Sequence, residues 1–126
     1  AMAGNIGVQS AAIVVQDIAS NNLKDKWVNK FIKELSVSAF NGLICGIIIF
    51  IFCYLNYGLN ETKFSISLSI SLVVVMIYAA IFGTFIPLLL NKFRIDPALA
   101  TGPFITTMND VIGLLIYFVI SEYIFT

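Results

Sequence analysis

Asp110 is the residue whose chemistry is hardest to reconcile with its surroundings. It lies seven positions past Pro103 in the last long apolar stretch, and no other charged residue stands between Asp96 and Glu122. An ionisable side chain near the middle of a membrane helix costs about 2.5 to 3.5 kcal/mol on insertion scales. Such a group is expected to face a bundle interior or a water-filled cavity and to mark an ion or substrate path. No Lys or Arg shares its apolar segment, so a cation is its natural counterion.

Two polar stripes accompany it. Asn5, Gln9, Ala12 and Gln16 recur at spacings of four, three and four, which sets them along one face of a 3.6-residue helix. Gly102, Thr106, Asp110, Gly113 and Tyr117 follow the same kind of spacing, with Asn109 beside Asp110. For Thr106, Gln16 or Gly113 alone, interhelical hydrogen bonding is a sufficient explanation, at about 0.6 kcal/mol on average in membranes. It does not explain a full charge.

Asp96, followed by Pro97, has two readings that the residues leave open. It can cap a helix whose first residue is Pro97, or it can meet an ion on its way to Asp110, fourteen residues further on. An unbroken helix would put both carboxylates on one face, but Gly102 and Pro103 predict a break or kink. Gly42 and Gly46 form a G-x-x-x-G, expected to mark close contact within a bundle more than a dimer seam. Cys45 and Cys53, eight residues apart in one apolar stretch, read as packed thiols. Asn60-Glu61-Thr62 matches the glycosylation acceptor pattern, but so short a pattern this close to a membrane carries no weight.

These side chains need long apolar helices to hold them. Of 126 residues 60% are hydrophobic and 11% charged, with a mean hydropathy of +0.98; an ordinary soluble domain is about 45 to 50% apolar. Seven basic and seven acidic residues cancel, which offers no positive patch for nucleic acid. Stretches 35–57, 64–90 and 103–125 each suffice to cross a bilayer, which takes about 20 apolar residues. A further stretch, 3–20, reads as a truncated preceding helix; it lacks the basic n-region of a signal peptide. The expected fold is all-α, an integral membrane helix bundle of three full spans plus that partial helix.

Polar connectors at 21–33, 58–63 and 91–102 join the stretches. The first holds Lys24, Lys26, Lys30 and Lys33 and the third Lys92 and Arg94, against Lys63 alone in the second. The positive-inside rule puts connectors 21–33 and 91–102 in the cytoplasm of a multi-pass cell-membrane protein, with the C terminus outside. Within the first, Leu23–Lys33 reads as a charged loop; an interfacial amphipathic helix with Trp27 and Phe31 at headgroup level is the alternative.

The segments Gly4-Asn5-Ile6-Gly7-Val8-Gln9-Ser10-Ala11-Ala12, Lys33-Glu34-Leu35, Asp96-Pro97-Ala98-Leu99-Ala100-Thr101-Gly102-Pro103-Phe104 and Thr106-Thr107-Met108-Asn109-Asp110 through Phe118 resemble the transmembrane domain of the MgtE-type magnesium channels. The resemblance covers essentially residues 1–126. It implies a five-helix domain, acting as a homodimer, whose first helix and cytosolic sensor domains are absent from this chain. Also implied is a central cation pore lined by the first and last segments seen here. Asp110, Thr106 and Asp96 correspond to metal-site positions, and Gly4, Asn5, Gln9, Gly102, Asn109 and Gly113 to pore-lining ones. Val8 stands where the family motif often has Asn, and Thr106 where a smaller residue occurs.

Magnesium as the transported ion fits that site. Mg²⁺ demands octahedral oxygen coordination at about 2.0 to 2.1 Å and gives up water reluctantly, so few carboxylates would hold it hydrated. One Asp110 from each of two subunits would match its double charge. No organic cofactor and no enzymatic activity are expected. Selectivity among Mg²⁺, Mn²⁺, Co²⁺ and Ca²⁺ stays open. A proton- or sodium-coupled carrier using Asp110 as its coupling carboxylate is the alternative. A structural assembly subunit is another reading. An intramembrane aspartyl protease would need a second deep aspartate.

Overall fold

A computed structural model describes residues 1–21, 23–100 and 102–126, and for residues 23–26 it describes the backbone. The side chains of Lys24 and Lys26, together with Asn22 and Thr101 of the two basic connectors, lie outside the described residues. Four helices follow one another: α1 (Met2–Ala19), α2 (Leu23–Tyr57), α3 (Thr62–Lys92) and α4 (Pro103–Phe125). Short 3₁₀ turns at Leu59–Glu61 and Pro97–Ala100 join the later ones. Three of the helices, α2, α3 and α4, are long and apolar enough to cross a membrane, as the sequence predicts.

The first polar connector corrects the expectation of a charged loop. Helix α2 begins at Leu23 and runs unbroken for 35 residues. No Gly or Pro stands between Leu23 and Gly42, and extending an existing helix adds one hydrogen bond per residue without a new nucleus. At 1.5 Å per residue α2 is about 52 Å long, well beyond a hydrocarbon core of about 30 Å. Its lysine-bearing first turns therefore extend the helix beyond the length that a span needs. Trp27 and Phe31 belong to this continuous helix. Their rings pack together at 5.7 Å, and Phe31 meets Phe85 of α3 edge-on at 5.9 Å.

Helix α3 is the hub, in contact with α1, α2 and α4. Small side chains make this possible. A Cβ built on Gly42 would come 3.2 Å from Val73 Cα, and one on Gly46 would come 3.2 Å from the Ser69 carbonyl oxygen. The G-x-x-x-G of α2 is thus the seam against α3, as expected for contact within a bundle. Cys53 is buried and Cys45 half-buried, both free thiols. Helix α1 crosses α3 at a second small seam, where Gly7 faces Gly83. Pro87 lies inside α3 and has no N–H for the Gly83 carbonyl four residues earlier. The described core is correspondingly small-celled, with Ala11, Ala100 and Ile105 at its centre and Val8, Phe82, Ile86 and Leu90 around them.

Candidate ion site

Helix α1 runs along α4 with its small residues Ala3, Gly4 and Gly7, not its polar stripe, against the polar positions of α4. Gly4 packs on Thr106, with room for no more than the Thr106 methyl 3.0 Å from where its Cβ would be. Gly7 packs on Ile105 and Asn109, and Asn109 Nδ2 donates to the Ala3 carbonyl at 3.4 Å. The backbone nitrogen of Ala1 lies 3.8 Å from Asp110 Oδ1. The beginning of α1 therefore abuts the Asp110 carboxylate.

The α4 stripe divides in two. Asp110 keeps 57% of its side chain exposed and lines an open cleft of about 420 Å³ with Ser71, Val75, Asn109, Gly113 and Tyr117. Asn109 and Gly113 are buried against neighbouring helices, Gly113 directly under Val75. Asn5 and Gln9 face outward from α1, and Thr106 is half-buried, its hydroxyl donating back to the Gly102 carbonyl at 3.1 Å. Asp110 thus lies at the rim of a cleft instead of deep inside a single chain. Among the described residues, no Lys or Arg pairs with it, and no three Asp, Glu, Cys or His side chains converge on one point. One chain brings a single carboxylate to this place.

Asp96 sits apart from Asp110. The helix between them is broken at Gly102, whose φ of 63° lies in the left-handed region that glycine tolerates, at the place where the sequence predicts a break. Asp96 Oδ1 accepts the Ala98 N–H at 3.0 Å, and its carbonyl accepts the Leu99 N–H at 3.1 Å, so it caps the Pro97–Ala100 turn. Its carboxylate is exposed.

A second polar cluster has no counterpart in the sequence reading. Asp17, on the buried face of α1, accepts from Lys30 Nζ at 2.5 Å. Gln9 and Ser10 both lie 3.5 Å from Glu34 Oε2, at the limit of a useful hydrogen bond. The cluster encloses a cavity of about 20 Å³ with Thr84 and Trp27 in its wall, room for one water. It ties the far end of α1 to the first turns of α2. Acidic Asp17 within α1 was a readable signal, since Ser10 and Gly7, seven and ten positions earlier, share its buried face; its partner on another helix was not.

Stacked apolar helices around α3, with an exposed carboxylate within the last of them, define a multi-pass integral membrane protein. Residues 1–120 match the family model MgtE, described as a divalent cation transporter. The chain is 37% identical over 121 residues to the magnesium transporter MgtE of Bacillus subtilis, covering 95% of this chain and 26% of that protein. To the magnesium transporters MgtE of Thermus thermophilus and Enterococcus faecalis it is 32% identical, over 94% and 95% of its length and 26% of each relative. The chain belongs to the MgtE divalent cation transporter family. It spans about a quarter of the length of the curated relatives it matches.

Proposed function

We propose that residues 1–126 are part of the transmembrane domain of a Mg²⁺ channel or transporter, with Asp110 as the carboxylate that meets the ion. The observation that carries this reading is an exposed aspartate in a spanning helix with no Lys or Arg partner among the described residues. Family membership supports the cargo: the relatives are named as magnesium transporters, which also points away from an enzyme. Thr106 and Asp96 join Asp110 as metal-meeting residues, and Gly4, Asn5, Gln9, Gly102, Asn109 and Gly113 serve as the pore wall or its packing support.

A homodimer follows from charge. One Asp110 supplies one negative charge, and a two-fold axis beside it would bring the second. Such a site recognises Mg²⁺ through its water shell, because the ion dehydrates reluctantly, and Mn²⁺ and Co²⁺ are further candidate ions. A membrane potential contributes about 2.3 kcal/mol per charge per 100 mV, hence about 4.6 kcal/mol for a divalent cation, enough to draw it inward without ATP. In this arrangement connectors 21–33 and 91–102 face the cytoplasm and the C terminus lies outside.

The test is Asp110→Asn and Asp110→Ala in the full-length parent protein, expressed in a strain that requires added magnesium. Both variants should reach the membrane and fail to support growth. Growth on low magnesium with either would overturn the assignment of Asp110.

A further inference from the structure

Ser67 breaks a pattern on α3. Serine and threonine hydroxyls inside helices can return a hydrogen bond to the carbonyl four residues back, and Ser65, Ser69 and Thr84 of the same helix do so, to Glu61, Ser65 and Ala80. Ser67 is fully buried and instead shares a hydrogen bond of 2.6 Å with the Ser121 hydroxyl of α4. Among the described residues no other side-chain hydrogen bond joins α3 to α4. The contact face of α4 is a ridge of every fourth residue. Ile105, Asn109 and Gly113 are buried along it, Tyr117 is half-buried, and Ser121 ends it. Gly113 lies under Val75. Ser67 and Ser121 stand eight residues beyond that contact in opposite chain directions, about 12 Å further along the two antiparallel helices.

We propose that Ser67 and Ser121 are positioning residues, whose hydrogen bond pins the rotation of α4 about its own axis and so keeps Asp110 turned toward the ion. The inference rests on the reading of Asp110 as the ion-meeting carboxylate. In water an amphipathic helix is oriented by burial of its apolar stripe. In lipid that bias vanishes, because the tails are as apolar as a neighbouring helix. Helix α4 shows Val111, Leu114, Leu115, Phe118 and Val119 on its exposed sides, and the centre of its ridge is Gly113, with no side chain to interlock. Successive helix positions stand about 100° apart, so a turn of one position would bring Asp110 into the place where Asn109 is fully buried. A single polar residue in an apolar seam fixes register in coiled coils in the same way. Ser121 follows Asp110 by eleven residues, three turns and about 20°. Pin and carboxylate thus lie nearly in line on one rod, and a rotation at one is a rotation at the other.

The experiment uses the full-length parent protein in vesicles, with Ser67→Ala and Ser121→Ala singly and together, and Ser121→Thr to retain the hydroxyl. One readout is the Mg²⁺ concentration for half-maximal influx. The other is modification of Ile105→Cys by a water-soluble thiol reagent, in a background without Cys45, Cys53 or any other native cysteine. Ile105 is 0% exposed and sixteen residues from Ser121, about 24 Å along the helix, so its modification follows rotation of the whole of α4 and not packing beside Ser121. Losing one interhelical hydrogen bond of about 0.6 kcal/mol multiplies the rotated population about threefold. Modification should therefore speed up about threefold in each alanine variant, and no further in the double variant. The half-maximal Mg²⁺ concentration should rise by no more than that factor at retained maximal influx, and Ser121→Thr should match wild type. Wild-type modification rates in both single variants would overturn the pin. A fall in maximal influx in step with thermal stability, with both readouts unchanged, would overturn it too, as packing alone. Faster modification at an unchanged half-maximal concentration would overturn the link to Asp110. Failure of the underlying reading registers separately, as undiminished influx in Asp110→Asn.

Discussion

Replacing Gly83 with alanine tests the way α1 is seated. The added Cβ would stand 2.9 Å from both the Cα and the carbonyl carbon of Gly7, and closer still to the Gly7 carbonyl oxygen. Carbon atoms rest about 3.5 to 4.0 Å apart, so α1 and α3 would have to separate by roughly 1 Å. The obstacle is backbone, and no rotamer change relieves it. Overpacking of this kind costs about 1 to 3 kcal/mol, while alanine regains up to about 1 kcal/mol of helix propensity over glycine. The net expectation is a loss of about 1 to 2 kcal/mol. Gly46→Ala is the matched comparison: its nearest neighbours lie at 3.2 Å, a few tenths of an ångström suffice, and the propensity gain should offset the strain. Displacing α1 also moves Gly4 off Thr106 and the start of α1 off Asp110, so influx should fall with stability. The assay is heat-induced loss of helical signal from the full-length parent in detergent, paired with Mg²⁺ influx in vesicles. Gly83→Ala melting at or above Gly46→Ala, with wild-type influx, would refute the close approach of α1 to α3.

The Asp17–Lys30 pair should respond asymmetrically, because 12% of the Asp17 side chain but 48% of Lys30 is exposed. Lys30→Met strands a mostly buried carboxylate and should destabilise by about 1 to 2 kcal/mol, between the surface and buried limits; Asp17→Asn releases Lys30 to water and should cost about 0.5 kcal/mol or less. Equal losses in denaturation of the two variants would contradict that burial. At Asp96, Asn retains the cap on Ala98 without the charge, so Asp96→Asn should slow influx at unchanged stability, whereas Asp96→Ala should additionally lose about 1 kcal/mol. Unchanged influx in Asp96→Asn would assign this residue the cap alone.

The sequence made the spans legible because lipid imposes one simple requirement, a long and predominantly apolar run, which 35–57 and 64–90 meet without any charge and 103–125 meets with Asp110 and Glu122. The break before Pro103 and the seam role of Gly42 and Gly46 were readable for the same reason: each follows from a residue's own backbone or size. The start of α2 was not. Lys24, Lys26, Lys30 and Lys33 look like a loop by polarity, and only the absence of a breaker betrays that helix continues. Gly83 and Pro87 stand in helical register four apart in α3, a signal available in the sequence but mute about what approaches it. The Lys30–Asp17 pair, the Ser67–Ser121 bond and the split of the α4 stripe into exposed Asp110 and buried Asn109 all depend on how helices meet, which no period within one helix encodes.

The small seams and the deep carboxylate make opposite demands, and their placement reconciles them. Gly7 and Gly83 let α1 and α3 approach backbone to backbone, and Gly4 and Gly113 seat the Thr106 and Val75 side chains closely, where van der Waals contact is what holds membrane helices together. The buried positions of α4 are Ile105, Asn109 and Gly113, one face of a helix whose other sides display Leu114, Leu115, Phe118 and Val119. Lipid satisfies those apolar side chains but not Asp110, whose insertion cost of about 2.5 to 3.5 kcal/mol a lone chain leaves uncompensated. In the proposed dimer, water, a divalent ion and the partner's carboxylate share the cleft, so the residue that makes a single chain least comfortable in lipid is the one that gives the assembled pair its cargo.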